Sequence, residues 1–359
     1  MRFTCRKADL ANAISRVLKS VPAKTTMPIL ECILIDAGDK IVLVGNDMEI
    51  SIETVLDGDV AEPGITAVDA KLLMGIVAKM PDTDIEIISE EESLIVKSGK
   101  SKFNLTCRDG EEFPRAQALD GGASFTMRQA ELKNMIMSVV FAISQNDTNK
   151  VMRGVNVLID GEIAKFTALD GYRIAVREIG IDEGNNGNVI IPGKTLNKLA
   201  KILSDTGDVR ITLDDAHAMF EFDGTMLVTR LIEGNYLEVD KVMQIDHKTK
   251  VTVDRRSLMD CLDRSLILTN VNDKKPVKVT VNNDAMAVEI TTALGSFADS
   301  VAVSKEGDDL AIAVNPRFML DALKAISDDE VDLYFVSKSA PCIIKGEGYS
   351  YLVLPVNMA

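Results

Sequence analysis

Tryptophan is absent from this 359-residue chain, and Phe and Tyr bring the aromatic share to only 4%. A surface that grips single strands by stacking bases on rings therefore has little to build with. Histidine occurs twice, at His217 and His247, neither at ligand spacing from a cysteine or an acid. A zinc site and a histidine-based triad are unsupported, and no metal or other cofactor is expected. The five cysteines (Cys5, Cys32, Cys107, Cys261, Cys342) are odd in number, far apart and without a Cys-x-x-Cys pair. They read as buried thiols of a reducing compartment. No window approaches 18 consecutive apolar residues, and Arg2, Arg6, Lys7 and Asp9 interrupt the first 15 positions. Neither a membrane span nor a secretory leader is expected, which points to a cytoplasmic protein without a membrane partner.

The remaining composition is that of a globular protein, 46% hydrophobic and 26% charged. Single cores stop growing at roughly 250–300 residues, so two or three domains are expected. The formal charge is −15, which excludes a protein that coats nucleic acid with its whole surface.

Self-similarity sets the architecture. Phe3-Thr4-Cys5-Arg6-Lys7-Ala8-Asp9-Leu10 returns as Phe125-Thr126-Met127-Arg128-Gln129-Ala130-Glu131-Leu132, and again as Val251-Thr252-Val253-Asp254-Arg255-Arg256-Ser257-Leu258. Val68-Asp69-Ala70-Lys71, Ile191-Pro192-Gly193-Lys194 and Val314-Asn315-Pro316-Arg317 follow one another at intervals of 123 residues, as Asp170 follows Asp47. Three units of about 120 residues fill the chain, with boundaries at 1–121, 122–246 and 247–359. Each unit reads as one half-motif used twice: a short strand, a helix with apolar residues on one face (Leu10, Ile14, Val17 and Leu18 in the first), then alternating strands such as 29–35, 40–45 and 50–56. The expectation is an α+β protein of three tandem domains, each with two βαβββ half-motifs and six helices in all.

Charge is sorted among these elements. The helical patterns at 8–20, 69–79, 129–144, 193–203, 255–266 and 316–326 carry a net +7, which leaves −22 for everything else. Lys71, Lys194 and Arg317 occupy one repeat position, and Lys194, Lys198 and Lys201 cluster in the fourth helix. Net-basic helices in an acidic protein suit a polyanion held by its phosphates, without base readout.

Together with the repeats, Thr26-Met27-Pro28-Ile29-Leu30, Gly45-Asn46-Asp47-Met48-Glu49, Leu169-Asp170-Gly171-Tyr172-Arg173 and the terminal Leu354-Pro355-Val356 resemble the bacterial DNA polymerase III beta subunit, the sliding-clamp family. The resemblance runs the full length. It implies a homodimer closed head to tail into a ring around double-stranded DNA, helices inside and sheets outside. Such a ring is a non-catalytic processivity factor that tethers the replicative polymerase and also meets a clamp loader and other proteins with clamp-binding motifs. By resemblance, Lys24, Lys71, Asn146, Lys194, Lys198, Lys201 and Arg317 are candidate DNA contacts. A hydrophobic cleft for client peptides maps to Met152, Leu169, Gly171, Tyr172, Arg173, Ile174, Leu237, Lys241, Val242, Pro341, Val353, Leu354, Pro355, Val356 and Met358, with Tyr172 and Arg173 as rim hydrogen-bonding groups. Tyr172, Leu237 and Asn357 depart from the residues frequent there. Phe103 and Leu105 on one side, Ile267 and Leu268 on the other, map to the dimer interface.

Gly99-Lys100-Ser101 lacks the first glycine of a phosphate loop, since position 94 is Leu, and reads as a hairpin turn. The runs 90–92 and 328–330 read as solvated acidic turns. Two other functions compete with the clamp: a repeat-built scaffold whose basic helices meet an acidic protein, and a metal-dependent hydrolase or nuclease.

Overall fold

The computed structural model describes residues 1–145, 149–182, 186–244, 246–269 and 275–356. Six helices of eight or more residues stand among them: Lys7–Val17, Ala70–Lys79, Gln129–Val139, Gly193–Ala200, Arg255–Leu266 and Pro316–Lys324. Five begin directly after a strand, and the sixth follows Leu310–Val314 after the single residue Asn315, as the repeats require. Their starts are written in the sequence. Asp69 Oδ1 accepts from Leu72 N at 2.7 Å, Asp254 Oδ1 from Ser257 N at 2.7 Å and Asn315 Oδ1 from Arg317 N at 3.0 Å. Each satisfies an amide that the first turn leaves open. The helix Lys7–Val17 buries Leu10, Ala13, Ile14 and Val17, the apolar stripe expected of it.

Two differences from the sequence reading concern element ends. Pro28 cannot donate to a ladder, and Pro28–Glu31 forms a 3-10 turn, so the strand expected over 29–35 starts at Cys32 and runs to Ala37. The third helix stops at Val139 and passes into the 3-10 turn Val140–Ala142. The acidic edge strand Asp59–Glu62 was not foreseen, because it has no apolar alternation. Gly99 and Lys100 form the hairpin turn between paired Ser98 and Ser101.

The chain contacts group into two compact units, one made of residues 1–130 and 198–231, the other of 131–197 and 232–359. In the first, 13 strands form one sheet, and in the second, 12 strands do. Each sheet is continuous because an antiparallel ladder crosses a repeat junction. Ile50–Leu56 pairs with Thr225–Arg230, with Thr54 opposite Thr225. Arg173–Gly180 pairs with Tyr349–Val353, with Arg173 opposite Val353. The middle repeat is thereby shared between the two units. At the 121–122 boundary both glycines have positive φ, and a Cβ on Gly122 would lie 2.3 Å from the Leu213 carbonyl oxygen.

All five cysteines are buried. Burial pushes the thiols of Cys5 and Cys342 up to about 12. Several carboxyls are held the other way. Arg2 and then Lys97 hold Glu86 below the usual carboxylate range, Ser257 does so for Asp254, and Arg264 for Asp299. A folded pKa below the unfolded one means that stability is complete above the unfolded value of about 4 and is lost as pH falls through the folded values. The urea midpoint is therefore expected to stay level from pH 7 to 5 and to fall below about pH 4. A midpoint that rises in acid would contradict these assignments.

Candidate peptide trough, nucleic-acid face and chain edges

In the second unit, four antiparallel strands each contribute one apolar side chain to a single row. Leu169 lies opposite Ile174, Ile174 opposite Leu352, and Leu352 opposite Ile343. Opposed residues of a ladder share a face, so the four make a continuous floor. Val176, Val239 and Met243 complete its buried cluster, with Met152, Tyr236 and Tyr334 packed against it. The segment 236–243 is held there by Tyr236, whose hydroxyl donates to the Gly154 carbonyl at 3.2 Å, and by Lys165, which pairs with Asp240 and with Glu178 at 3.3 Å.

Of the expected cleft residues, Leu169 and Ile174 form floor and Met152 packs on it. Gly171, Tyr172, Leu237, Lys241, Val242 and Leu354 are exposed, while Pro341, Pro355 and Val356 are half-buried. Gly171 suits its turn, where φ is +87°. Met358 lies outside the described residues, as does Asn357.

One expectation needs correction. Val353 and Leu352 are equally buried, at 1% exposure each; strand alternation turns Val353 to the opposite face, so it is not part of the row. Arg173 is engaged within the chain: each of its three guanidinium nitrogens donates one hydrogen bond, which leaves one N–H on Nη1 and one on Nη2 for a rim contact. The same buried cluster also contains Val239, Met243, Ile343 and Leu352, with Tyr236 packed against it, none of which the sequence singles out as a candidate. No periodic signal marked Tyr236, Val239 and Met243, because only Asp240–Met243 is helical and Tyr236 and Val239 lie in the irregular stretch before it.

Among the candidate DNA contacts, Lys24, Lys71, Lys194 and Lys201 are exposed and Arg317 is half-buried. Asn146 lies outside the described residues. Lys198 is half-buried, and its Nζ forms an ion pair with Asp47 Oδ2 at 3.0 Å within its own unit.

Two strands have half-used edges. Residues 101–106 of Ser101–Asp109 pair with Ser93–Ser98, but only 107–109 pair on the other side, with Gly64–Asp69. Residues 295–302 of Gly295–Gly307 pair with Ala285–Thr292, and the strand's other edge is used only from 303 on, by Thr249–Asp254. Among the described residues, each strand thus leaves one stretch of backbone edge without a ladder. Phe103 is exposed beside the first, but Leu105 is 8% exposed and faces its own core, which corrects its expected interface role. Ile267 is 79% exposed and Leu268 half-buried.

Three models describing the DNA polymerase III beta subunit match the chain in order: the N-terminal domain over residues 1–118, the central domain over 126–238 and the C-terminal domain over 241–357. The chain belongs to the DNA polymerase III beta subunit family. The beta sliding clamp of Bacillus subtilis strain 168 is 32% identical, with 99% of this chain and 100% of the relative aligned. A putative DNA polymerase III beta subunit from Eubacterium rectale is 39% identical with a TM-score of 0.95, covering 100% of this chain and 99% of its own. A DnaN sliding clamp from Pseudomonas aeruginosa, solved bound to griselimycin, is 25% identical with a TM-score of 0.95 and full coverage of both chains.

This beta-subunit chain repeats the trough's backbone frame at its first repeat junction but not the trough's chemistry. Arg230 N donates to Glu49 O at 3.0 Å, as Leu354 N does to Tyr172 O at 2.9 Å. The matching row is Asn46, Ser51, Val228 and Met219. Asn46 is closed over, its amide donating to the Pro114 carbonyl at 2.9 Å. Two polar side chains replace Leu169 and Ile174, so only the second junction offers an apolar floor.

The Lys198 pair gives a testable contrast. Lys198→Glu sets a carboxylate against the largely buried Asp47 and is expected to cost about 1–3 kcal/mol in urea unfolding. Lys194→Glu with Lys201→Glu, both exposed, is expected to stay within about 0.5 kcal/mol. Equal losses in the two proteins would show that the Asp47 contact contributes nothing.

Proposed function

We propose that this chain acts as a sliding clamp whose two copies close head to tail around duplex DNA. As a member of its family it is a processivity factor of DNA replication and not an enzyme, with DNA and the polymerase as partners. The observation that carries this is the ordered match of all three beta-subunit domains along one chain. The domains are 1–121, 122–246 and 247–359, the clamp loader opens the ring, and the cytoplasm is where it works. Lys24, Lys71, Lys194, Lys201 and Arg317 supply diffuse positive charge to a duplex that bears one charge per about 1.7 Å of axis. Weak phosphate contacts suffice, because the DNA is threaded and tight contacts would arrest sliding. Short peptides of the polymerase, the loader and other clients dock on the exposed residues Tyr172, Leu237, Val242 and Leu354 that flank the buried row from Leu169 to Ile343, and the edges 101–106 and 295–302 of two copies pair to close the ring.

The test is retention on DNA. Protein loaded on a nicked circular duplex is expected to survive high salt and to leave at least about 100-fold faster after one restriction cut, since only the salt-sensitive phosphate term then remains. Equal loss from circles and linear DNA would replace the clamp with ordinary phosphate binding and favour the scaffold reading.

A further inference from the structure

A turn aspartate recurs at each repeat junction, Asp47 and then Asp170, 123 residues on. Each turn is built alike. Asp47 Oδ1 accepts from Glu49 N and Ile50 N, and Asp170 Oδ1 from Tyr172 N and Arg173 N. The residue that reaches each turn from the next repeat's helix also recurs at 123: Lys198 in the first unit and Asp321 in the second. Lys198 meets Asp47 directly. Asp321 and Asp170 are both acidic, and the cation between them is Arg173.

Arg173 is only 11% exposed in its side chain. Its Nε donates to Asp170 Oδ2 at 3.0 Å, its Nη1 to Asp321 Oδ2 at 2.6 Å and its Nη2 to the Phe141 carbonyl at 2.5 Å. The guanidinium carbon sits 4.4 Å from the centroid of the Phe318 ring. Phe318 and Asp321 both belong to the helix Pro316–Lys324, and the Tyr172 ring tilts against Phe318 at 6.3 Å. A second tie runs through the backbone. Leu354 N donates to Tyr172 O at 2.9 Å and Val356 N to Ala313 O at 2.8 Å, two residues before the helix cap Asn315. The exposed residues Tyr172 and Leu354 are thus fastened to this helix by one side-chain tie and one main-chain tie.

We propose that Arg173 is a positioning residue that carries occupation of the trough to the helix Pro316–Lys324, which bears Arg317. The inference rests on the trough reading. A peptide that immobilises Tyr172 and Leu354 immobilises the turn. The turn then holds Asp321 through a planar, charge-assisted fork that changes length very little. Charge-assisted bonds of low exposure are stiff and strong, so restraint at one end is felt as reduced opening at the other. The recurrence of the turn-to-helix tie at the first junction, with a different cation, indicates a device of the repeat and not an accident of one loop.

Hydrogen exchange of the full chain tests this, with and without a synthetic peptide carrying the clamp-contacting segment of the cognate polymerase. The peptide is expected to slow exchange in Arg173–Gly180 and Tyr349–Val353, and to slow it about tenfold in Pro316–Lys324. In Asp321→Ala, which suits a helix and removes a half-buried carboxylate, strand protection is expected to stay while the peptide's effect on the helix falls to less than about threefold. Arg173→Met should behave likewise if it folds. Equal helix protection in wild type and Asp321→Ala would overturn the proposal, as would protected strands with an unaffected helix in the wild type. No protection of the strands in the wild type would instead defeat the trough reading, and the inference with it.

Discussion

Phe103→Asp combined with Ile267→Asp is expected to give a protein that sediments at the chain mass of 39.0 kDa and not at twice that value. Both side chains are exposed in the single chain, so neither substitution removes core packing, and the unfolding midpoint should move little. In a dimer both would be buried. Each loses about 2 kcal/mol of apolar burial, and an uncompensated carboxylate in an apolar contact costs more. About 4 kcal/mol per interface is about three decades in dissociation constant. The backbone argument points the same way. The edges 101–106 and 295–302 present unused N–H and C=O groups, and an exposed half-strand of this kind invites pairing with another chain. Leu105 is a poor site for this experiment because Leu105→Asp would bury a charge in its own unit. A double variant that still sediments as a dimer at micromolar concentration would remove both residues from the interface.

Leu237→Asp combined with Val242→Asp is expected to abolish stimulation of the cognate polymerase while leaving retention on circular DNA unchanged. Both residues are exposed on the segment whose inward face, Tyr236, Val239 and Met243, packs on the apolar row. The segment stays anchored by Lys165 and by the Tyr236 hydroxyl. An apolar peptide loses burial against each altered residue, about 2 kcal/mol apiece, and its affinity should fall by roughly 1,000-fold in fluorescence anisotropy. Deleting residues 354–359 should have the same effect through the opposite margin, since the ladder from Tyr349 to Val353 remains. Undiminished peptide affinity in both proteins would move the site elsewhere.

The repeat and the helix faces were legible because both are local patterns: Leu10, Ile14 and Val17 declare their face within three turns. Helix starts were legible for the same reason, through Asp69, Asp254 and Asn315. What escaped depends on partners far along the chain. Nothing near Lys198 announces Asp47, 151 residues away. Nothing near Arg173 announces its acceptor on Asp321, 148 residues on. The faces of Leu105 and Val353 were misjudged because a strand near a terminus or a junction is buried by whichever element covers it, and alternation alone gives no sign of which side that is. The unused edge at 295–302 was invisible for a related reason: a 13-residue strand whose two halves pair with different neighbours reads as one uniform run.

The ladders that cross the repeat junctions impose a schedule on synthesis. Thr54 waits for Thr225, 171 residues later, which at ribosomal rates of about 5–20 residues per second is a delay of roughly 9–34 s. During that interval the nascent first repeat carries an open, apolar edge at Ile50–Leu56. The edge at Arg173–Gly180 waits still longer, for Tyr349–Val353. A nascent chain in this condition is a natural client for a holdase at the tunnel exit, and truncated translation products ending inside the third repeat should be strongly prone to co-aggregate.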